Sequence, residues 1–193
     1  MKNQTTQTNS PNRFMNTKTL AYCALLAALS VVLARLIIPM PNASARFSIE
    51  AVPIFLSGAL FGPLAGGMVG FSADLVGCLF SGYGYNPIFC IPPILYGVFG
   101  GLLRHWLGEN TSIVRLFLAF LPPVVLGSIL YQSCTLAYVY SDSFSTGLLY
   151  FLSTRSIQFA ITIVLDVLIV FLLFKSNIFS RLGIWPPRKR REE

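Results

Sequence analysis

Charged and metal-binding residues are scarce in this sequence. Only 11% of its 193 residues are Asp, Glu, Lys or Arg, and His105 is its single histidine. The four cysteines, Cys23, Cys78, Cys90 and Cys134, show no Cys-x-x-Cys spacing. Zinc and iron–sulfur sites need several such ligands at close spacing, so neither a metal nor another bound cofactor is expected.

Motifs of catalysis are missing as well. No Gly-x-x-x-x-Gly-Lys-Ser/Thr loop occurs, so the chain is not expected to hydrolyse ATP itself. It has neither a His-Glu-x-x-His helix nor a Gly-x-Ser-x-Gly elbow, which disfavours a metalloprotease or a serine hydrolase. A small intramembrane enzyme that works with Asp, Ser or Arg alone is the alternative from a different functional class.

Apolar residues, in contrast, make up 54% of the chain, more than a soluble domain of this size can bury. Apolar stretches run over residues 20–38, 47–80, 87–103, 113–140 and 147–174. Each is long enough, or nearly so, for the ~20 residues that cross a hydrocarbon core. The alternating polarity of a membrane β-barrel is not seen. The sequence therefore predicts an all-α integral membrane protein.

The stretch 47–80 decides the number of crossings. As one helix it would extend about 50 Å, far beyond a ~30 Å core. Pro63 favours a break at Gly62-Pro63, because proline is tolerated in the first turn of a helix and disruptive inside one. The sequence therefore predicts a bundle of six transmembrane helices.

Charge distribution orients this bundle. With six crossings, eleven of the fourteen basic residues fall on one side, which the positive-inside rule makes the cytoplasm. These eleven are Lys2, Arg13, Lys18, Arg104, Arg115, Lys175, Arg181, Arg188, Lys189, Arg190 and Arg191. We expect a cytoplasmic polar tail over 1–19, a six-helix transmembrane domain over 20–175 and a basic cytoplasmic tail over 176–193. The tail and the net charge of +7 indicate lipid contact, since no nucleic-acid-binding module accompanies them.

Seven ionisable residues are out of place in or near the outer half of the membrane. They are Arg35, Arg46, Arg155, Glu50, Asp74, Asp142 and Asp166. Such groups are costly at membrane depth and are expected to face a cavity, to pair, or to mark a substrate path. We expect an outward-facing pocket with Arg46 at its mouth and two acids deeper, Asp74 in the third helix and Glu50 a turn inside the start of the second helix. The alternative is that Arg155, Asp166 and Asp74 pair with one another and join helices.

The basic mouth suits a carboxylate or phosphate, which arginine binds bidentately, and a deeper acid suits the N–H edge of an amino-heterocycle. The segment 81–87, SGYGYNP, adds Tyr83, Tyr85 and Asn86 on the same outer face. Aromatic rings beside polar groups form a stacking site for a planar ligand. Tyrosines at the membrane interface also serve as anchors, which is the alternative for this loop.

Small residues recur at intervals of four. Gly62, Gly66 and Gly70 share one face of a helix, and such spacing lets helix backbones approach closely. Ala24 and Ala28 repeat the interval in the first helix. That face suits contacts within the protein or with another membrane subunit.

These motifs resemble the substrate-binding S components of energy-coupling-factor vitamin transporters, and among them the folate-specific branch. The resemblance covers about residues 20–174. Its most specific parts are RFS at 46–48 followed by Pro53, GPLAGG at 62–67, GFSADLVG at 70–77, residues 82–87 and Gly97. The Ala24-x-x-x-Ala28 pair is similar to the first-helix motif by which S components dock onto the transmembrane T subunit.

The resemblance implies a six-helix, non-catalytic subunit in the bacterial plasma membrane that binds vitamin outside and releases it inside. A T subunit and two separate ATPase subunits would be its partners. Folate would place its glutamate tail at Arg46 and Arg155 and its pterin edge at Asp74, with Phe47, Glu50, Tyr83, Tyr85 and Asn86 completing the site. Thiamine, pantothenate and a queuosine precursor are the alternative ligands.

Overall fold

The protein is described by a computed structural model covering residues 17–35, 38–39, 46–47, 49–81, 86–109, 112–141, 143–176 and 178–181. The helices are α1 (Thr17–Arg35), α2 (Ala51–Phe61), α3 (Pro63–Ser81), α4 (Ile91–Leu102), α5 (Arg104–Glu109), α6 (Ile113–Pro123), α7 (Gln132–Tyr140), α8 (Phe144–Lys175) and α9 (Ile178–Arg181). A 3-10 turn, Pro87–Cys90, leads into α4, and a π-helical segment, Val124–Tyr131, joins α6 to α7. The two-residue strands β1 (Ile38–Pro39) and β2 (Arg46–Phe47) pair antiparallel.

Four of the described helical segments are long and apolar enough to cross a membrane. They are Thr17–Arg35, Pro63–Phe80, Ile113–Tyr140 and Phe144–Lys175. Two further apolar segments, Ala51–Phe61 and Pro87–Leu102, are shorter. This composition agrees with the predicted all-α membrane class.

The chain reverses direction at Gly62, where φ is +108° and Pro63 begins α3. A Cβ built on Gly66 would lie 2.6 Å from the Cα of Gly58. An unbroken helix would hold residues 58 and 66 about 12 Å apart. The two residues therefore face each other across a helical hairpin, and the predicted break at Gly62-Pro63 is confirmed.

Helix α2 is shorter than its apolar stretch indicates. The expectation that Glu50 lies a turn inside this helix is wrong, because Phe47 is in the strand pairing with Ile38 and the helix begins at Ala51. Its eleven residues extend about 16 Å, roughly half of a hydrocarbon core. Glu50 thus lies about 16 Å from the Gly62 turn, measured along the axis of α2.

Glycines bring α3 and α4 into direct backbone contact. A Cβ on Gly66 would overlap the Gly97 carbonyl, and one on Gly70 would overlap the carbonyl of Pro93. Because the partner number falls as the residue number rises, the two helices run antiparallel. Gly58 of α2 meets Gly97 at the same place. The prediction that glycines spaced by four serve helix packing is confirmed.

The interior is built around α2, in which ten of eleven residues are buried. Phe55 stacks on Phe120 of α6 with ring centroids 3.9 Å apart, and Tyr96 of α4 lies 6.4 Å from the same ring. In contrast, Ser30 is the one buried residue of α1. Helix α1 therefore contacts α2 and α3 along a narrow side and leaves most of its surface to its surroundings.

A π-helical segment follows Pro122 and Pro123, which lie inside α6. Proline has no N–H to donate and its ring clashes with the carbonyl four residues earlier, so regular α-helix is disturbed here. The widened segment turns Gly127 and Ser128 toward α4, where a Cβ on Gly127 would lie 3.3 Å from the Cα of Pro92. The π segment thereby carries a polar residue into the interior.

Replacing Gly66 with alanine tests the backbone contact. Because the added methyl meets backbone atoms that cannot move aside, we expect a loss of stability of about 1–3 kcal/mol, measured as a lower melting temperature in detergent. Gly77→Ala on the same helix is the matched control, since a Cβ there meets nothing within 4 Å. Its higher helix propensity should leave stability equal or slightly raised. Equal melting temperatures for both variants would contradict the close contact.

Candidate functional site

Helix α8 presents a row of polar side chains to the interior. Gln158, Thr162 and Asp166 follow one another at intervals of four residues and are 7%, 7% and 1% exposed. Residues at this interval share one helix face. The hydroxyl of Thr162 donates to the Gln158 carbonyl oxygen at 3.0 Å, so it is already committed within the helix. Arg155 lies about one turn before this row.

Asp166 is the most buried charged residue that the structure describes. Its Oδ1 atom has no hydrogen-bond partner among the described residues. Glu50 and Tyr96 lie within electrostatic range of its carboxylate. A buried acceptor without a donor is costly, so this position calls for a specific explanation.

A buried hydroxyl pair lies within electrostatic range of the two acids. The Oη atom of Tyr96 and the Oγ atom of Ser128 are 3.1 Å apart, and either can be the donor. Tyr96 comes from α4 and Ser128 from the π segment. Together with the buried Asp166, and with Glu50, which is exposed at the edge of the group, they form the inner polar group, defined here as Glu50, Tyr96, Ser128 and Asp166.

Asp74 belongs to a different set of contacts. It is half-buried on α3, and the thiol of Cys90 at the start of α4 donates a hydrogen bond to its carboxylate. Cys78, one turn further along α3, lies within electrostatic range of both Asp74 and Arg35. The guanidinium of Arg35 donates to the Gly77 carbonyl oxygen at 2.8 Å, which fastens the end of α1 to α3. The structure thus distributes the predicted acids over two groups.

The predicted ion pair between Arg155 and Asp166 does not fit the geometry. Both residues lie on the single helix α8, eleven positions apart, which corresponds to about 16 Å. The side chains cannot span that distance, so this part of the helix-joining alternative is wrong. The row from Arg155 to Asp166 is instead an extended polar track along one helix.

The predicted mouth of the pocket is described only in part. The backbone of Arg46 and Phe47 pairs with Pro39 and Ile38, and this strand contacts α8, the helix that holds Arg155. The side chains of Arg46 and Phe47, together with Tyr83 and Tyr85, lie outside the described residues. The Asn86 side chain accepts a hydrogen bond from the Ile88 backbone N–H at 3.2 Å, which caps the 3-10 turn before α4. This contact gives Asn86 a structural role.

Ala24 and Ala28, the predicted docking residues, lie exposed on α1. Serine at position 30 instead faces inward, where its hydroxyl donates to the Glu50 carbonyl oxygen at 2.8 Å. The alanine face is therefore left open within this chain. Of the two uses expected for it, contact with another membrane subunit is the one that remains compatible with this exposure.

Tyr96 and Ser128, two members of the inner polar group, were not predicted from the sequence. Tyr96 follows an apolar run and Ser128 precedes one, so neither looks different from an ordinary core residue in the sequence. The nearest sequence signal is the Pro122-Pro123 pair, since consecutive prolines inside an apolar run indicate a disturbed helix.

Comparison with known proteins gives three results. A family model described as ECF-type riboflavin transporter, S component, matches residues 14–175. The crystal structure of FolT bound with folic acid aligns with a TM-score of 0.69 and 27% sequence identity, covering 82% of this chain and 93% of FolT. An S component for biotin from an ECF-type ABC transporter aligns with a TM-score of 0.62 and 21% identity, covering 82% and 91% of the two chains.

A search of curated protein sequences found no match. The biotin S component, at its low identity, shows the shared fold alone. The family model, however, spans nearly all of the apolar region, and the fold of the described residues agrees with it. The chain therefore belongs to the S components of ECF-type transporters, the membrane-embedded, substrate-binding subunits of vitamin uptake systems.

Proposed function

We propose that this chain is a high-affinity folate-binding S component. The observation that carries the proposal is its similarity, over most of both chains, to a protein crystallised with folic acid. The polar side chains along α8 support an elongated ligand with a charged end. A cation, Arg155, precedes the row, and an acid, Asp166, ends it. Riboflavin is the second candidate, since the matching family model is described by that vitamin.

The proposed site has a cationic outer end and acidic inner groups. Arg46 and Arg155 bind the glutamate carboxylates of the ligand, because guanidinium groups pair bidentately with carboxylates. Phe47, Tyr83 and Tyr85 stack on the planar ring, and Asn86 supplies an amide beside it. Glu50 and Asp74 accept hydrogen bonds from ring N–H groups. The contact of β2 with α8 supports the pairing of the two arginines in one site.

The proposed topology has six crossings with both termini in the cytoplasm of a bacterium. The tight turn at Gly62 and the link between α4 and α6 then lie on the cytoplasmic side, where Arg104 and Arg115 follow the positive-inside rule. Residues 20–175 form the substrate-binding domain in the plasma membrane. The tails, residues 1–19 and 176–193, lie in the cytoplasm.

The chain itself is not an enzyme in this proposal. A T subunit docks onto the exposed alanines of α1, and two ATPase subunits hydrolyse ATP. Small residues on a helix face allow close approach of a partner helix, which supports Ala24 and Ala28 as the contact. Docking couples release of the vitamin to ATP hydrolysis elsewhere in the complex.

Isothermal titration calorimetry of the detergent-purified chain tests the ligand. We expect saturable one-to-one binding of folic acid, with riboflavin, thiamine and pantothenate as comparison ligands. Binding of riboflavin in preference to folic acid would keep the transporter family and replace the vitamin. Binding of thiamine or pantothenate alone would do the same, and heat from none of the four would overturn the assignment of a vitamin from this set.

Arg46→Ala tests the outer end of the site. The loss of a charge-assisted contact in a partly dry site should weaken folic acid binding by about 2 kcal/mol, or roughly thirtyfold. Arg46→Lys, which keeps the charge but not the bidentate geometry, should lie between this variant and the wild type. An affinity unchanged in Arg46→Ala would remove the residue from the site.

Substitution of Ala28 by leucine tests the docking face. A bulky side chain on this face keeps a partner helix at a distance, so we expect normal vitamin binding by the isolated chain and loss of uptake in cells that contain the whole transporter. Ala28→Ser, which keeps the residue small, is the matched control and should transport normally. Full uptake by Ala28→Leu would show that α1 is not the contact.

A further inference from the structure

We propose that the carboxylate of Asp166, with Glu50 within electrostatic range of it, selects ligands that present two adjacent N–H donors on a heterocyclic edge. This inference rests on the proposed function and names the chemistry by which the site distinguishes one vitamin ring from another. It moves the acid that recognises the ring from Asp74 on α3 to Asp166 on α8.

Asp166 offers a buried acceptor atom to a hydrogen-bond donor on a ligand. The residue is 1% exposed, and its Oδ1 atom has no hydrogen-bond partner in the part of the chain that the structure describes. Its neighbour on the same face, Thr162, donates to a backbone carbonyl and is not available to it. In its ionised form, the Asp166 carboxyl group has two oxygens and about four lone-pair sites, so it can then accept two parallel N–H bonds at once.

The neighbours of Asp166 add further acceptors and one adaptable pair. Glu50 is a second carboxylate within electrostatic range, and two acids together disfavour any ligand group that is itself an acceptor. The Tyr96 and Ser128 hydroxyls share one hydrogen bond, which leaves the proton of one of them to donate elsewhere. That proton suits a ring carbonyl next to the N–H donors.

Asp74 is less suited to the same task. The thiol of Cys90 already donates to its carboxylate, and the residue is only half-buried. The guanidinium of Arg35, on α1, donates a hydrogen bond to the Gly77 carbonyl oxygen of α3 and so joins the two helices. The Oδ2 atom of Asp74, like the Oδ1 atom of Asp166, has no hydrogen-bond partner among the described residues, so the two acids differ in burial and not in this respect. Asp74 is half-buried beside contacts that join helices, whereas Asp166 is 1% exposed.

Two planar vitamin rings differ at the edge that a carboxylate would bind. A 2-amino-4-oxopteridine carries a ring N–H next to an amino group, which are two adjacent donors. The pyrimidinedione edge of a flavin carries one N–H between two carbonyl groups, so a carboxylate there would face an acceptor. The buried Asp166 end of the group therefore favours the aminopteridine and disfavours the flavin, because at a residue that is 1% exposed an unmatched polar atom of the ligand cannot bind water instead.

The polar track on α8 determines which end of such a ligand lies at Arg155 and which at Asp166. From Arg155 to Asp166 the polar face extends about 16 Å, with Gln158 and Thr162 between its ends. A ligand with a carboxylate tail at Arg155 and an aminopteridine edge at Asp166 satisfies both ends of this track. Folic acid has this layout, with the two functions at opposite ends of the molecule.

The test compares two ligands on two proteins. Titration calorimetry of the purified full-length chain uses folic acid and its analogue in which oxygen replaces the 2-amino group. The wild-type chain should bind folic acid at least about tenfold more tightly than the analogue, because the analogue turns a donor into an acceptor. Asp166→Asn should weaken folic acid binding by about 10- to 100-fold and bring the two affinities close together.

Ser153→Ala is the matched control. It removes a hydroxyl from an exposed position of the same helix, where that hydroxyl donates to the Tyr150 carbonyl oxygen at 3.0 Å. Its affinities for both ligands should equal those of the wild type. If Asp166→Asn does not fold, the wild-type ratio of the two affinities decides, and equal binding of the two ligands overturns the inference.

The outcomes separate this inference from the proposed function. Tight folic acid binding with no preference over the analogue, or with an unchanged preference in Asp166→Asn, overturns the role of Asp166 and leaves the folate proposal intact. Binding of riboflavin without folic acid overturns both, since the flavin edge lacks the adjacent donors. Loss of the preference for folic acid in Asp166→Asn, with the preference unchanged in Ser153→Ala, supports both the role of Asp166 and the folate proposal.

Discussion

Direct contact between glycine backbones is the constraint on which the rest of this structure depends. In a membrane, lipid is as apolar as the helix surfaces, so helices associate through close packing and not through the hydrophobic effect. Gly58, Gly66 and Gly97 allow α2, α3 and α4 to meet without intervening side chains. Because Gly97 is held against α3, its neighbour Tyr96 is directed away from that contact and toward Ser128. One packing contact thereby fixes the orientation of a polar residue in the interior.

The features that the sequence predicted correctly are local or periodic. Apolar runs, the break at Gly62-Pro63 and the glycine interval each depend on residues within a few helical turns of one another. The predicted start of α2 was wrong because Phe47 pairs with Ile38 in extended conformation. An apolar run in the sequence does not show that part of it has a strand partner nearby. The inner polar group was not foreseen because it joins Glu50 to Asp166, which are far apart in the chain. Periodicity on one helix holds no information about which helix faces it.

The arrangement of acids shows why family and ligand are separate questions. The family model and the FolT structure agree on the scaffold, yet the descriptions they carry differ in vitamin, riboflavin in one and folic acid in the other. A fold hosts many ligands because recognition depends on a few side chains placed on it. In this chain those side chains fall into two groups, one around the half-buried Asp74, where contacts join helices, and one around Asp166, which is 1% exposed.

The attachment of α1 uses main-chain acceptors at both of its described polar contacts. Ser30 donates to the carbonyl of Glu50 and Arg35 donates to the carbonyl of Gly77, so neither bond depends on the identity of the accepting side chain. Every residue type offers a carbonyl at these positions. Substitution at position 50 during evolution is therefore compatible with an unchanged attachment of the first helix, and a lineage can exchange the acid at this position while the scaffold around it keeps its geometry.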